Sequence, residues 1–134
     1  MITQTVTTSF QAQLLEGVHD FNTDTFKIAL YLATADLGAS TTVYGTTSET
    51  TGTGYTAGGE IMTGISVNAA GYVNFANVSW NPAAFTARGA LIYNSSKANK
   101  SVAVLDFGSD KTATNTFLVQ MPANTVTSAL IRFS

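Results

Sequence analysis

The sequence has 134 residues, no Cys, one His, six Lys plus Arg against eight Asp plus Glu, and a formal net charge of −2. That length implies a single domain whose core needs neither disulfides nor metal, and the lack of Cys removes thiol chemistry altogether. Six scattered cations exclude a phosphate-tracking groove, so nucleic acid is not an expected partner.

Only 10% of the residues are charged, against about 25% in ordinary soluble domains. Thr, Ser, Asn and Gly must therefore clothe the surface. A neutral, hydroxyl-rich surface is cheap to desolvate and suits a protein that works against other protein. The β-propensity of Thr accounts for the same composition without any partner. Met1-Ile2-Thr3-Gln4 lacks a basic leader and no apolar run approaches the roughly 20 residues of a membrane span, so synthesis in a cytoplasm without a membrane partner is expected.

Thr8-Ser9-Phe10-Gln11 has the form of a capping box and predicts a helix over about 8–17, with Thr8 as N-cap. Phe10, Leu14 and Val18 recur every fourth residue, Leu15 widens the stripe, and Gly17 supplies the stop. The period then drops to two. Residues 26–32 read as a mostly buried strand with Phe26, Ile28, Leu30 and Leu32 on one face. Residues 33–59 form a long polar stretch whose only aromatics are Tyr44 and Tyr55. It is either an ordered excursion with a short strand near Val43-Tyr44, or a projecting arm that meets a partner.

Strands are predicted over 60–67 and 72–80 around an Asn68–Gly71 turn, with a bulge near Ala76 and a stop at Asn81-Pro82. More follow over 85–93, 101–107, 116–121 and 128–133, divided by an Asn94–Lys100 loop and a Gly108–Lys111 turn. The pattern predicts a mainly β single domain over residues 1–134, an antiparallel β-sandwich or jelly roll with one short N-terminal helix.

Chemistry is sparse. His19 stands at the helix exit, where an imidazole caps the last carbonyls or faces solvent, and no G-x-S-x-G elbow accompanies it. Most acids sit at turns or helix ends, and Asp106 either points outward or pairs with Arg88 across the sheet. Without Cys, one His cannot build a nitrogen and sulfur cage, and Asp20–Asp24 lacks the Gly and Glu of a calcium loop. Gly52-Thr53-Gly54 and Gly58-Gly59 lack the Lys and helix of a phosphate loop. We therefore expect no catalytic residue, metal or cofactor. Trp80 is assigned to the core and Tyr44 and Tyr55 to protein contacts, although all three are formal candidates for stacking on sugars.

Thr86-Ala87-Arg88-Gly89-Ala90-Leu91-Ile92-Tyr93-Asn94, followed by Ala103-Val104-Leu105-Asp106-Phe107-Gly108-Ser109-Asp110-Lys111, resembles a pattern in small structural proteins of tailed bacteriophages. Gln4–Phe10, Gly17-Val18-His19, Phe26–Tyr31 and Gly54–Gly59 resemble the same proteins, so the likeness spans most of the chain. It implies a capsid decoration, or cement, protein: a β-sandwich, commonly trimeric, bound to the outer shell of the virion. The implied partners are the major capsid protein and further copies of itself. Within that resemblance the 33–59 excursion and the N-terminal segment would make the contacts, with Val43, Tyr44 and Tyr55 as interface residues. A tail, neck or fibre-associated component is the rival within the resemblance, and a carbohydrate-binding module the rival outside it.

Overall fold

Apolar side chains on both faces set the central strands. A computed structural model describes residues 1–122 and 129–132. In it Phe26, Ile28 and Leu30 form one apolar row, while Ala29 and Tyr31 of the same strand are buried on the opposite face. The strands, in chain order, are β1 (Thr5–Val6), β2 (Phe26–Tyr31), β3 (Glu60–Ile61), β4 (Ser66–Asn68), β5 (Tyr72–Asn74) and β6 (Val78–Trp80). They continue with β7 (Phe85–Asn94), β8 (Lys100–Ala113), β9 (Phe117–Val119) and β10 (Ile131–Arg132), and one helix, α1 (Thr8–Leu15), follows β1. The protein is mainly β, its strands pair antiparallel, and its one α-helix among the described residues is short.

The largest sheet has the order β1-β8-β7-β2-β3, and two smaller sheets run β10-β5-β4 and β6-β9. Phe26, Ile28, Leu30 and Ile92 of the large sheet share one core with Val73, Val78, Trp80 and Phe117 of the small ones, a sandwich-like arrangement. Each fully buried side chain of this size contributes about 1.5–3 kcal/mol. A second cluster, around Ile2, Leu37, Leu91 and Val104, covers the other face of the large sheet. Both faces of the central strands are thus dry.

Several expected strands are interrupted. The 60–67 strand is split into β3 and β4, with Gly64 at a positive φ of 61° between them. The expected bulge near Ala76 is a full break: β5 and β6 belong to different sheets, and Asn77 is exposed. The Gly108–Lys111 turn is instead an irregularity inside β8, where β7 advances from Ala87 to Gly89 while β8 runs from Lys111 to Asp106. Of the closing 128–133 strand, Ile131 and Arg132 form β10, while Ser128 and Phe133 lie outside the described residues.

The helix starts one residue earlier than its sequence suggests. Thr7 is the N-cap and its Oγ1 accepts from the Phe10 N–H, so Phe10 takes the third helical position and no capping box with Gln11 forms. Thr7, Thr8 and Ser9 all carry a capping hydroxyl, and both Thr7 and Ser9 reach Ser101 of β8, at 3.0 and 3.3 Å; Thr7 takes the cap because its N–H donates to the Val102 carbonyl of β8, at 3.0 Å, and holds it extended. At the other end Gly17 N–H donates to the Leu14 carbonyl and Val18 N–H to Gln13, a Schellman stop with Gly17 at φ 74°. Phe10 is buried and Leu14 packs on the core, but Leu15 is 87% exposed and is no part of the stripe. We predict that Leu14→Ala costs about 1–3 kcal/mol and Leu15→Ala less than about 0.5 kcal/mol. Urea denaturation of both variants checks this, and equal losses would contradict the orientation of α1.

Candidate functional site

The 33–59 stretch lies on its own large sheet rather than projecting from it. Ile2 and Leu37 form a parallel bridge, and Val43 then pairs with Lys100 beside β8. The chain crosses the sheet at Gly45, whose carbonyl accepts from Tyr31 Oη at 2.6 Å. It reaches the far side at β2, where Thr50 N–H donates to Leu30 and Leu32 N–H donates to Ser48, both at 2.9 Å. Of the short strand expected near Val43-Tyr44, one bridge is present.

Glu49 holds this crossing in place. It is 8% exposed, and its carboxylate accepts from Tyr44 Oη at 2.6 Å, from Tyr55 Oη, and from Gly58 N–H at 2.8 Å. Tyr55 Oη also accepts from Leu30 N–H at 2.9 Å, so a side-chain hydroxyl stands where a sheet neighbour would offer a carbonyl. Tyr93 stacks on Tyr44 with ring centroids 4.7 Å apart and donates to Gly58 O. Burial, together with the nearby Glu49, holds the phenols of Tyr31, Tyr44 and Tyr55 well above the usual range. The same two causes push Tyr93 up to about 12. All four therefore remain hydrogen-bond donors at neutral pH, and the cluster works as a pin. Tyr55→Phe should cost about 2–3 kcal/mol, because it orphans the buried Leu30 N–H and removes one of the two donors to Glu49 Oε2, which keeps the Gly58 N–H. Tyr44→Phe takes the hydroxyl from Glu49 Oε1 at a half-buried position that water can reach, and should cost about 1 kcal/mol. Chemical denaturation ranks the pair, and the reverse order would refute the pin.

Of the residues assigned to an interface, Val43 is 52% exposed. Tyr44 and Tyr55 direct their hydroxyls inward to Glu49, and one face of the Tyr44 ring rests on Tyr93. Trp80 is buried against Phe85 and Phe117, so its ring offers no face to a sugar. Asp106 does pair with Arg88 across the sheet, at 3.6 Å and with both side chains about one-third exposed, a contact of small energetic value. Neither the pin nor this ion pair presents a reacting group to an open cleft.

His19 also differs from expectation. It is 6% exposed, neither capping α1 nor facing solvent. Its Nε2 lies 2.9 Å from Gln13 Oε1, and its Nδ1 lies 2.9 Å from Asn94 Nδ2. The same Asn94 amide donates to Asp24, whose carboxylate accepts from Lys97 at 2.7 and 2.9 Å. Burial lowers the His19 pKa; Asp24 opposes the shift, and Lys97 and Lys100 reinforce it. For Asp24, burial opposes the charge, but hydrogen bonds from Lys97, Asn94 and the Asp20 N–H hold its carboxyl below the usual range. The segment resembling a calcium loop thus carries a lysine-paired carboxylate. Among the described residues no group of three or more metal-ligating side chains forms.

No protein-family model, curated protein or solved structure matches this chain. One open groove of about 600 Å³ is lined by Leu105, Phe107, Phe117 and Met121. Another, of about 670 Å³, lies between α1 and the β4–β5 hairpin, lined by Leu14, Leu15, Val67 and Tyr72. Leu15, Ile61, Val67 and Leu118 are each at least half exposed. Among the described residues no helix is long and apolar enough to cross a membrane.

Glu49, Asn94, Tyr31 and Tyr93 had no assigned role in the sequence reading. A signal was present: Ile28-Ala29-Leu30-Tyr31 and Ala90-Leu91-Ile92-Tyr93 are continuous apolar runs, as in strands covered on both faces. Such strands require a cover for the second face, and the excursion supplies it.

Proposed function

We propose that this chain is a non-enzymatic structural component of a bacteriophage virion, a capsid decoration protein that binds the outer shell as a multimer. The reading rests on the resemblance to small phage structural proteins. The observation in its favour is a surface of low charge that exposes Leu15, Val67 and Leu118 on the rims of two apolar grooves, and Ile61 elsewhere. Large apolar side chains on a neutral hydroxyl-rich background bury well against protein, since few ions need be stripped of water. Repetition across a symmetric shell lets individually weak contacts add up to firm attachment. A homotrimer would supply a closed symmetric interface of its own.

The deciding measurement is copy number and position in a purified particle, by quantitative mass spectrometry and electron microscopy. The proposal expects hundreds of copies on the shell and none on the tail. A few to dozens at the neck, tail or fibre would replace it with the tail-component reading. Native mass spectrometry tests the trimer: the expected species has three times the 14.0 kDa mass of one chain.

A further inference from the structure

The Asn94 amide has only one workable orientation. Its Oδ1 accepts from Ser96 N–H at 3.0 Å, and its Nδ2 donates to Asp24 at 2.8 Å. The NH2 group is therefore the atom that faces His19 Nδ1 at 2.9 Å. Nδ1 must then be the bare nitrogen, and the ring carries its proton on Nε2, which donates to Gln13 Oε1. Turning Asn94 over would set its NH2 against the Ser96 N–H and its oxygen against the Asp24 carboxylate.

We propose that His19 is an acid-sensitive latch between the end of α1 and the Asn94–Lys97 turn: a proton on Nδ1 opposes two donors and drives the elements apart. The imidazole is enclosed from several sides. The Phe10 ring of α1 lies 4.9 Å from it, and α1 otherwise presents neutral Gln13. The turn after α1 contributes Asp24, among the described residues the one charge favouring an imidazolium; the Asn94–Lys97 turn contributes Lys97 and β8 contributes Lys100, which both oppose it. Asp24 is already engaged by Lys97 and so is not free to turn toward the ring. Opening would bare Phe10 and Phe21, both of which line the groove beside α1. The latch thus couples pH to exposure of an apolar surface.

The linkage has a definite sign. An unfolded or opened chain binds a proton near 6.5, the ordinary value for histidine, while the closed form binds it only at lower pH. The closed form is therefore fully favoured above about 6.5 and loses ground as pH falls below it.

Because His19 is the only histidine in the chain, its ring signals in nuclear magnetic resonance need no assignment by mutation. The expected results are an Nε2–H tautomer at neutral pH and a midpoint below 6.5. The opening constant of the α1 amides, from hydrogen exchange corrected for intrinsic rates, should rise up to about tenfold per pH unit below that value. His19→Gln, which cannot titrate, should flatten that dependence. An Nδ1–H tautomer, a midpoint at or above 6.5, or flat exchange in the unmodified protein would each overturn the latch, and none of these requires the variant to fold.

Discussion

Gly59→Ala is expected to destabilise the protein by about 4 kcal/mol or more, enough to leave little folded chain at moderate temperature. A β-carbon at this position would sit 1.8 Å from the Ile28 carbonyl oxygen and 2.6 Å from its carbon. The obstacle is backbone of β2, paired on both sides by β7 and β3, so it has no room to retreat. Residue 59 also has a φ of 77°, which adds strain for any residue with a side chain. The change therefore forces the end of the excursion off the sheet or the sheet out of register. Far-ultraviolet circular dichroism with a urea titration checks the outcome, and a loss below about 1 kcal/mol would show that Gly59 does not press on β2 as described.

Glu49→Ala should be nearly as damaging, at about 3–5 kcal/mol. It strands three donors at once: the hydroxyls of Tyr44 and Tyr55 and the Gly58 N–H. It also opens a gap beneath the excursion, where water must enter or the chain must sag. Glu49→Gln keeps the shape and one acceptor oxygen but turns an NH2 toward a donor, and should cost about 2 kcal/mol. Equilibrium denaturation of the two variants gives the comparison. Near-wild-type stability for Glu49→Ala would mean that the excursion is held by other contacts.

Where the apolar pattern was strong, sequence reading located the structure. Residues 26–32 and 85–93 are dense in apolar, β-favouring side chains, and the strands end within a residue or two of where those runs stop. The helix was also legible, but its cap was not, because Thr7, Thr8 and Ser9 offer equivalent hydroxyls and only the main-chain bond from Thr7 to Val102 of β8 selects among them. The 60–80 region was over-read as two long strands, since alternation says nothing about a strand that leaves one sheet for another. The excursion was hardest. Its anchors are hydroxyls, a carboxylate and main-chain amides, polar groups that in sequence look like any solvated loop. His19 was missed for a related reason: its partners Gln13 and Asn94 lie 6 and 75 positions away, and Asn94 reaches it only through the pairing of β7 with β2.

The path of the excursion has a consequence for life at high concentration. By running along β8 at Val43 and along β2 at Ser48–Thr50, it occupies main-chain donors and acceptors on opposite margins of the large sheet. Exposed margins of this kind are where β-proteins recruit one another into fibrils. At any concentration the fold thereby gains a built-in guard against edge-to-edge polymerisation from a segment that, in composition, looks like filler.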